Sequence, residues 1–399
     1  MYLTMIIKNN KLFTGLKKTF YVVFLLLLFI VIGHWVTGYG YVLKGVCFAY
    51  FRGQSGPGID ESHLFYNHKI KASNSLKWKE SENLTKNKIS STDINKLKLI
   101  KTTSFLVVKD NELIYEKYWK EYDSKHPTNS FSAVKSIVSL LIGIAIDEGC
   151  ITSIDQPVGD FLNSFKNGRK SKITIRDLLT MSSGLNWSES GGNPYSDNAR
   201  AYYGEDLKGQ INSLKSIDPP GKIFKYKSGN TQILGYIIEK ATGLTLSSYL
   251  EKKIWLKIHA EHDALWNIDK LNGDEKAYCC LYLVPRDYAK IGQLIINKGK
   301  WNHQQVVSEN YLDACMKPAN YLKETNGEEN IRYGWHWWIA QYKNHNVYYA
   351  RGIKGQYIII WPDKQLVIVR TGKSRKKVAS DGHPEDFWDY LKIAEELIE

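Results

Sequence analysis

Residues 132–146 read SAVKSIVSLLIGIAI, the most apolar helical stretch outside the N-terminal region. Its opening places Ser132 and Lys135 three positions apart, and residues at that spacing share one face of a helix. No charge follows Lys135 until Asp147, which predicts a helix buried on all sides. The sequence therefore predicts a hydroxyl and an amine within hydrogen-bonding reach at the start of a core helix.

This pairing predicts a nucleophile. A serine hydroxyl attacks at neutral pH only when a base removes its proton, and a lysine acts as that base only after losing its own. Burial lowers the pKa of a lysine, so a buried lysine can lose its proton. The first turn of the helix adds free backbone N–H groups that favour an oxyanion. A second Ser-x-x-Lys, at Ser374 and Lys377, lies in a charged stretch that we interpret as a solvated loop.

A second polar element lies at Tyr226 and Ser228. It follows the Pro220-Gly221 turn and precedes a predicted helix over Ile233–Lys240, so we expect it on a loop. A tyrosine hydroxyl has a pKa near ~10 and acts as a base only when a cation such as Lys135 stabilises the phenolate. The alternative is that Tyr226 anchors a loop, as others of the 26 tyrosines do.

These elements resemble the serine β-lactamase and penicillin-binding-protein family, in particular its class C-like branch of esterases and 6-aminohexanoate-dimer hydrolases. The resemblance rests on Ser132-x-x-Lys135, Tyr226-x-Ser228 and a later segment, Ala350–Gln356, and covers roughly residues 100 to 399. It implies that Ser132, Lys135 and Tyr226 are catalytic and that Ser228 borders the substrate.

The third element departs from the family pattern, which is usually Lys-Thr-Gly or His-Thr-Gly. Either Arg351-Gly352 or Lys354-Gly355 occupies that position here. We favour the first register, in which the backbone N–H of Ile353 follows Gly352 and becomes the second oxyanion-hole donor. The departure argues against β-lactam recognition and leaves the acyl-transfer groups intact.

The resemblance also implies three substrate contacts. Tyr195 would hydrogen-bond a substrate amide, Asp206 would attract an amine end, and His383 would approach the site. Aromatic residues are dense in segments 184–206 and 333–338, where they either wall an acyl-binding cleft or belong to the core.

The order of predicted elements indicates an α+β fold with three α/β/α layers, of the β-lactamase/transpeptidase type. Strands are predicted at both chain ends and a helix over Pro384–Leu397. A mainly helical region, about residues 132 to 310, lies between them with no convincing strand series. One antiparallel sheet built from both chain ends would result, with the catalytic groups at its seam. The predicted strands are 104–108, 113–119, 346–350, 355–361 and 366–371.

The amino-acid composition argues against several classes of protein. A hydrophobic fraction of 43% argues against disorder, and the net charge of +13 comes from basic residues scattered among acidic ones, without a nucleic-acid-binding signature. His259 and His262 do not have metalloprotease spacing, so we predict no metal and no cofactor. Cys279 and Cys280 are too close for an ordinary bridge, and no disulfide framework is predicted.

The N-terminal region predicts a membrane segment. Residues 1–59 contain no acidic side chain, and four lysines precede the apolar run Phe20–Ile32. We interpret residues 1–43 as a membrane anchor or a cleaved signal segment, and residues 44–399 as the hydrolase domain. Positively charged residues that flank a membrane segment stay on the cytoplasmic side, so the hydrolase domain would be exported to the cell envelope or secreted.

The sequence thus predicts a serine hydrolase that cleaves a small ester, amide or short peptide through an acyl-enzyme on Ser132. Two alternatives stay open. One is a D,D-peptidase or D-amino-acid amidase acting on peptidoglycan-type substrates. Export and basic charge agree with this alternative, and the missing Lys-Thr-Gly argues against it. The other is a non-catalytic protein of the same fold that senses a ligand.

Overall fold

The computed structural model describes residues 2–399, with side chains from residue 15 onward. The chain divides into two compact units. The first comprises the residues up to Pro57 together with Ser190–Glu205, and the second comprises Gly58–Glu189 together with Asp206–Glu399. The predicted division at residues 43 and 44 does not coincide with either boundary and stays a prediction.

The described residues form helices α1 (Tyr2–Val36), α2 (Gly40–Phe48), α3 (Ser91–Leu99), α4 (Val134–Asp147), α5 (Ile175–Leu179), α6 (Asp197–Tyr203), α7 (Leu207–Ser213), α8 (Ser228–Thr242), α9 (Leu246–Leu250), α10 (Pro285–Ile296), α11 (Glu309–Cys315) and α12 (Glu385–Glu396). The strands are β1 (Asn67–Ile70), β2 (Lys79–Glu80), β3 (Thr102–Lys109), β4 (Glu112–Tyr118), β5 (Thr128–Asn129), β6 (Ala264–Asn267), β7 (Leu281–Leu283), β8 (Lys300–Trp301), β9 (Gln304–Gln305), β10 (Trp338–Tyr342), β11 (His345–Gly352), β12 (Gln356–Trp361) and β13 (Leu366–Gly372).

The main sheet has seven strands in the order β10-β11-β12-β13-β3-β4-β2. Neighbours are antiparallel except for β2, which pairs with β4 in parallel. The two chain ends meet where β13 pairs with β3, with Leu366 opposite Lys109. The prediction of one sheet built from both ends of the chain is therefore confirmed.

Helices cover both faces of this sheet. Phe105, Val107 and Ile368 belong to the core cluster on one face, which includes residues of α3 and α12. Helix α10 packs on the other face. Its Gly292 brings the backbone close, because a Cβ there would lie 2.4 Å from a methyl of Val367. The strands are rich in β-branched residues and buried on both sides, as in any sheet between two helical layers. The α+β fold with three layers is confirmed.

The middle of the chain contains strands that the sequence did not predict. β6 and β7 lie in a second, four-stranded sheet of order β1-β6-β7-β5. The prediction of a middle without a strand series is wrong on this point. These strands have two to four residues each, too few for an alternating pattern, and two of them pair with segments that precede residue 132.

The predicted core helix is α4, which is buried from Val134 to Ala145. It begins two residues after Ser132, because Phe131–Ala133 form a 3₁₀ turn that leads into it. Gly143 lets a neighbouring ring approach, since a Cβ there would lie 2.5 Å from Tyr311. The serine therefore precedes the helix proper and the lysine lies in its first turn.

The first unit contains the apolar helix α1. Its segment Gly15–Val36 has a mean hydropathy of 2.4 and no buried residues, so it is long and apolar enough to cross a membrane. Helix α2 follows and packs against α6 of the same unit, where Gly45 faces the ring of Tyr203. A signal sequence has the same length and composition as this segment.

Candidate active site

Ser132 and Lys135 form the centre of the candidate site. The Lys135 Nζ donates a hydrogen bond to the Ser132 Oγ at 2.8 Å and a second one to the backbone oxygen of Tyr278 at 2.9 Å. Lys135 is only 1% exposed. The helical spacing predicted from the sequence thus brings the hydroxyl and the amine into direct contact, and the Tyr278 carbonyl holds the amine in place.

The turn that presents Ser132 is held from both sides. Phe131 has a φ of 44°, in the left-handed region that costs a non-glycine residue about 1 kcal/mol or more. Its N–H donates to the Asn129 Oδ1 at 2.8 Å, and the N–H of Ser130 donates to the Leu281 carbonyl at 2.8 Å. These bonds tie the turn to the second sheet, which keeps the strained conformation in place.

Burial lowers the pKa of Lys135 from 10.5 to about 8, while the negative charge of Glu189 acts in the opposite direction. At pH 7 about a tenth of the molecules therefore carry a neutral Lys135, and most do so above pH 9. The condition for a lysine base, loss of its own proton near physiological pH, is met by desolvation.

Tyr226 lies beside this pair. The Ser132 hydroxyl is near enough to lower the pKa of Tyr226, and the Lys135 Nζ lies 5.2 Å from the centroid of its ring. The ring stacks on Trp338 at a centroid distance of 5.7 Å. Burial, with a further contribution from Glu189, raises the pKa of Tyr226 above its usual value. This direction favours a neutral phenol and differs from the phenolate expected from the sequence.

The third element reaches the nucleophile turn through Gly352. A Cβ at this position would lie 2.2 Å from the backbone oxygen of Ser130, so only glycine fits there. The alternative glycine, Gly355, lies instead against Arg370, whose Nη1 donates to its carbonyl at 2.8 Å. Gly352 is thus the glycine that lies beside the turn, and Ile353, which follows it, is 44% exposed. The role of the Ile353 N–H as an oxyanion-hole donor stays a prediction.

Arg351 belongs to the same strand end. Its guanidinium lies 3.6 Å from the centroid of the Trp338 ring and donates to the Gly382 carbonyl at 3.0 Å. Its positive charge lowers the pKa of Tyr226, opposing the effect of burial. A cation is therefore fixed on the ring that stacks against Tyr226.

Ser228 is not on a loop, because it is the first residue of α8. Its N–H donates to one carboxylate oxygen of Glu189 at 2.6 Å and its hydroxyl to the other at 2.8 Å. Helix α8 therefore begins five residues before the predicted Ile233, and the carboxylate stabilises its positive end. Nothing in the sequence marks Glu189, because an acidic residue in an exposed loop has the same pattern as its solvated neighbours.

Two other predicted contacts have partners of their own. Tyr195 belongs to the first unit, where its hydroxyl lies 3.0 Å from the His34 Nε2 near the end of α1. Asp206 is the N-cap of α7, and its Oδ1 accepts the Gly209 N–H at 3.0 Å. A capping role thus accounts for the Asp206 carboxylate. Their predicted contacts with substrate stay predictions.

His383 is buried beside the sheet. Its Nδ1 lies 2.6 Å from the Tyr349 hydroxyl, and burial lowers its pKa to about 4, so it is neutral at pH 7. Tyr349 stacks on Trp338, which in turn stacks on Tyr226. The rings of Tyr349 and Trp338 therefore connect His383 to Tyr226, and Tyr333 and Trp338 of segment 333–338 belong to the hydrophobic core.

His336 was missed by the sequence analysis although it lies close to α4. Its Nδ1 contacts the Leu179 carbonyl at 2.8 Å and its Nε2 the Thr231 Oγ1 at 2.9 Å. Its own carbonyl accepts the hydroxyl of Ser136 at 2.6 Å. Burial lowers the pKa of His336 to about 3, so it is a neutral connector between α4, α5 and α8.

Two further sequence expectations concern cysteines and metals. Cys279 and Cys280 form a disulfide, contrary to the expectation from their adjacency, and follow the Tyr278 that holds Lys135. Among the side chains described from residue 15 onward, no cluster of three or more His, Cys, Asp or Glu has the arrangement of a metal site. His259 contacts the carbonyl of Asn74.

A sheet between helical layers, with a serine, a buried lysine and a tyrosine converging at its edge, defines a serine hydrolase of the β-lactamase/transpeptidase-like fold. The family model "Beta-lactamase" matches residues 98–386. The chain therefore belongs to the beta-lactamase family.

One relative of this chain is named as a hydrolase, and solved structures share its fold. The chain is 26% identical over 292 residues to the 6-aminohexanoate-dimer hydrolase of Paenarthrobacter ureafaciens, covering 67% of this chain and 72% of that protein. A Bacillus anthracis structure, provisionally named a 6-aminohexanoate-dimer hydrolase, superposes with a TM-score of 0.70 at 20% identity over 89% of this chain and 92% of its own. A family VIII carboxylesterase superposes with a TM-score of 0.60 at 14% identity over 78% and 99%.

Proposed function

We propose that this chain hydrolyses an ester or amide bond of a small molecule or short peptide through an acyl-enzyme on Ser132. The observation that carries the proposal is the 2.8 Å contact between the Ser132 hydroxyl and a lysine amine that is almost completely buried. The relative named 6-aminohexanoate-dimer hydrolase, and the fold shared with a carboxylesterase, support the substrate class.

In the acylation step neutral Lys135 accepts the proton of Ser132 as the Oγ attacks the substrate carbonyl. The Tyr278 carbonyl accepts an N–H of Lys135 and so orients the amine toward Ser132. Tyr226, held as a neutral phenol beside the hydroxyl, donates its proton to the leaving group and is reprotonated by the Lys135 ammonium, which carries the proton taken from Ser132. The leaving alcohol or amine departs with one proton, and an ester links the acyl group to Ser132.

The tetrahedral intermediate carries an oxyanion. The backbone N–H groups of Ser132 and Ile353 are the proposed donors, each worth roughly 3 to 4 kcal/mol in transition-state stabilisation. Water then attacks the acyl-enzyme, with Lys135 and Tyr226 transferring its proton. The acid product leaves and the Ser132 hydroxyl is restored.

The proposed location is the cell envelope. The basic residues before the apolar segment Gly15–Val36 favour a cytoplasmic N-terminus and an exported hydrolase domain. Fractionation of cells that express the full chain tests this location. Activity confined to the cytosolic fraction would contradict it.

Turnover measurements on the full chain in non-ionic detergent test the function. We expect hydrolysis of a short-chain chromogenic ester or of linear 6-aminohexanoate dimer, lost in Ser132→Ala. Ser374→Ala is a matched control, since it removes the serine of the second Ser-x-x-Lys and is expected to retain full turnover. A folded Ser132→Ala variant with normal turnover would refute the proposal.

A peptide ending in D-Ala-D-Ala is the third substrate of this panel. Release of D-alanine faster than ester or dimer cleavage would favour the D,D-peptidase alternative. Folded wild-type protein that binds ligands without turning over any of the three would favour the ligand-sensing alternative.

A further inference from the structure

Glu189 is an exposed acid that makes an unusually complete set of contacts. Its two carboxylate oxygens accept the N–H and the hydroxyl of Ser228, and one of them also accepts the Trp187 Nε1 at 3.0 Å. Charge-assisted bonds of this kind are about twice as strong as neutral ones. The carboxylate is therefore held in one place although the side chain faces solvent.

Two sets of contacts connect that place with the catalytic groups. Ser228 is two residues from Tyr226 in the chain. On the other side Trp187 contacts the ring of Tyr278 at a centroid distance of 6.3 Å, and the carbonyl of Tyr278 holds Lys135. Glu189 thus connects the start of α8 with the residue that orients the lysine amine.

Glu189 differs from the other charged and titratable groups around Lys135. The Nζ lies 5.8 Å from the Tyr278 ring centroid, and Glu189 is the acidic group whose charge acts on it. His336 is neutral, and the positive charge of Arg351, which lies over the Trp338 ring, acts on Tyr226. The groups facing the lysine are Glu189 from its loop, Tyr226 before α8, Tyr278 before β7, His336 before β10 and, beyond Tyr226, Arg351 of β11.

We propose that Glu189 is a positioning residue of this active site: its carboxylate anchors Ser228 at the start of α8 and keeps a fixed negative charge beside Ser132, Lys135 and Tyr226. The inference rests on the proposed function and deepens it. The family pattern assigns the Ser228 hydroxyl to substrate binding. In this proposal the hydroxyl instead donates a hydrogen bond to Glu189.

The fixed charge has a consequence for pH dependence. A nearby carboxylate favours the ammonium form of Lys135 and the neutral form of Tyr226, in agreement with the directions of both pKa effects. Removing the charge makes it easier for Lys135 to lose its proton. The reactivity of Ser132 would then rise at lower pH than in the wild-type chain.

The experiment measures the rate at which a fluorophosphonate labels Ser132 between about pH 6 and pH 10, using the full chain in detergent. Glu189→Gln keeps an oxygen acceptor for Ser228 and removes the charge, and we expect its labelling inflection to move to lower pH by about half a unit or more. Glu189→Asp, which restores the charge, is expected to return the inflection toward the wild-type value. Glu82→Gln is the matched control, because Glu82 is exposed just beyond β2 at the opposite edge of the sheet.

A residue that only stabilised the loop would lower the labelling rate equally at every pH. An unmoved inflection in folded Glu189→Gln, or in Glu189→Asn if the first variant does not fold, overturns the proposal. Wild-type protein without any labelling at Ser132 would instead overturn the proposed function, and the role of Glu189 with it. An inflection that moves in Glu82→Gln as much as in Glu189→Gln would also overturn the assignment, since a long-range charge effect would then explain both.

Discussion

Replacing Lys135 by Met tests the electrostatic basis of the site. Lys135 is buried, and its pKa falls from 10.5 to about 8 on folding. Below about pH 8 the folded and unfolded chains both carry the proton, and the folded state bears the full cost of a buried ammonium. Between about pH 8 and pH 10.5 the folded state has released the proton while the unfolded state retains it. The wild-type free energy of unfolding should therefore rise with pH across this window.

The magnitude follows from the same values. At about 1.4 kcal/mol per pH unit, the interval from about 8 to 10.5 corresponds to roughly 3 kcal/mol. The variant lacks this titration. It also leaves the Ser132 hydroxyl and the Tyr278 carbonyl without their partner, at a cost of about 1 kcal/mol or more each that does not vary over this pH range. The pH dependence, and not the absolute stability, is the informative quantity.

Urea unfolding of the full chain in detergent, followed by tryptophan fluorescence, measures the effect. The stability of Lys135→Met minus that of the wild type should fall by about 3 kcal/mol as the pH rises from about 8 to 10.5, and turnover should be lost. Lys215→Met, which removes a lysine from an exposed position, is the matched control. A flat difference for Lys135→Met would refute the reasoning, because the lysine would then titrate alike in both states.

Three further changes test other parts of the site. Tyr226→Phe removes the proposed proton donor and should lower turnover of a chromogenic ester by about 10² to 10⁴, whereas a loss below tenfold would exclude Tyr226 from the mechanism. Gly352→Ala places a Cβ 2.2 Å from the Ser130 oxygen and should cut turnover at least about tenfold in folded protein, while Gly56→Ala, whose Cβ has open space, should not. His383→Ala removes the partner of Tyr349 and should lower the free energy of unfolding by about 1 to 3 kcal/mol, with less than a threefold change in turnover. A large loss of turnover at unchanged stability would instead indicate that His383 acts at the substrate site.

The sequence predicted the long elements of the fold because each of them has its own pattern. Strands β3, β12 and β13 have six or more residues, mostly β-branched or aromatic, and α4 has a continuous apolar run. Strands β5, β6 and β7 could not be predicted in this way. Their two to four residues become a sheet only through pairing with distant segments.

Only part of the candidate site could be predicted, again because only residues that are close in the chain leave a pattern in the sequence. Ser132 and Lys135 are close in the chain, so helical spacing alone brings them together. Glu189 reaches the site only because its loop folds back onto Ser228, and Tyr278 contributes a backbone carbonyl that has no sequence signature. The carry-over of Asp206 from the family resemblance did not anticipate that this carboxylate caps α7.

The central claim is that an acyl group passes through Ser132. The most direct test is acid quench of the full chain within the first turnovers of a chromogenic ester, followed by peptide mapping of the added acyl mass. We predict the acyl mass on the peptide that contains Ser132, and no adduct in Ser132→Ala. Product release without any acylated peptide, or an acyl group on another residue, would contradict the account.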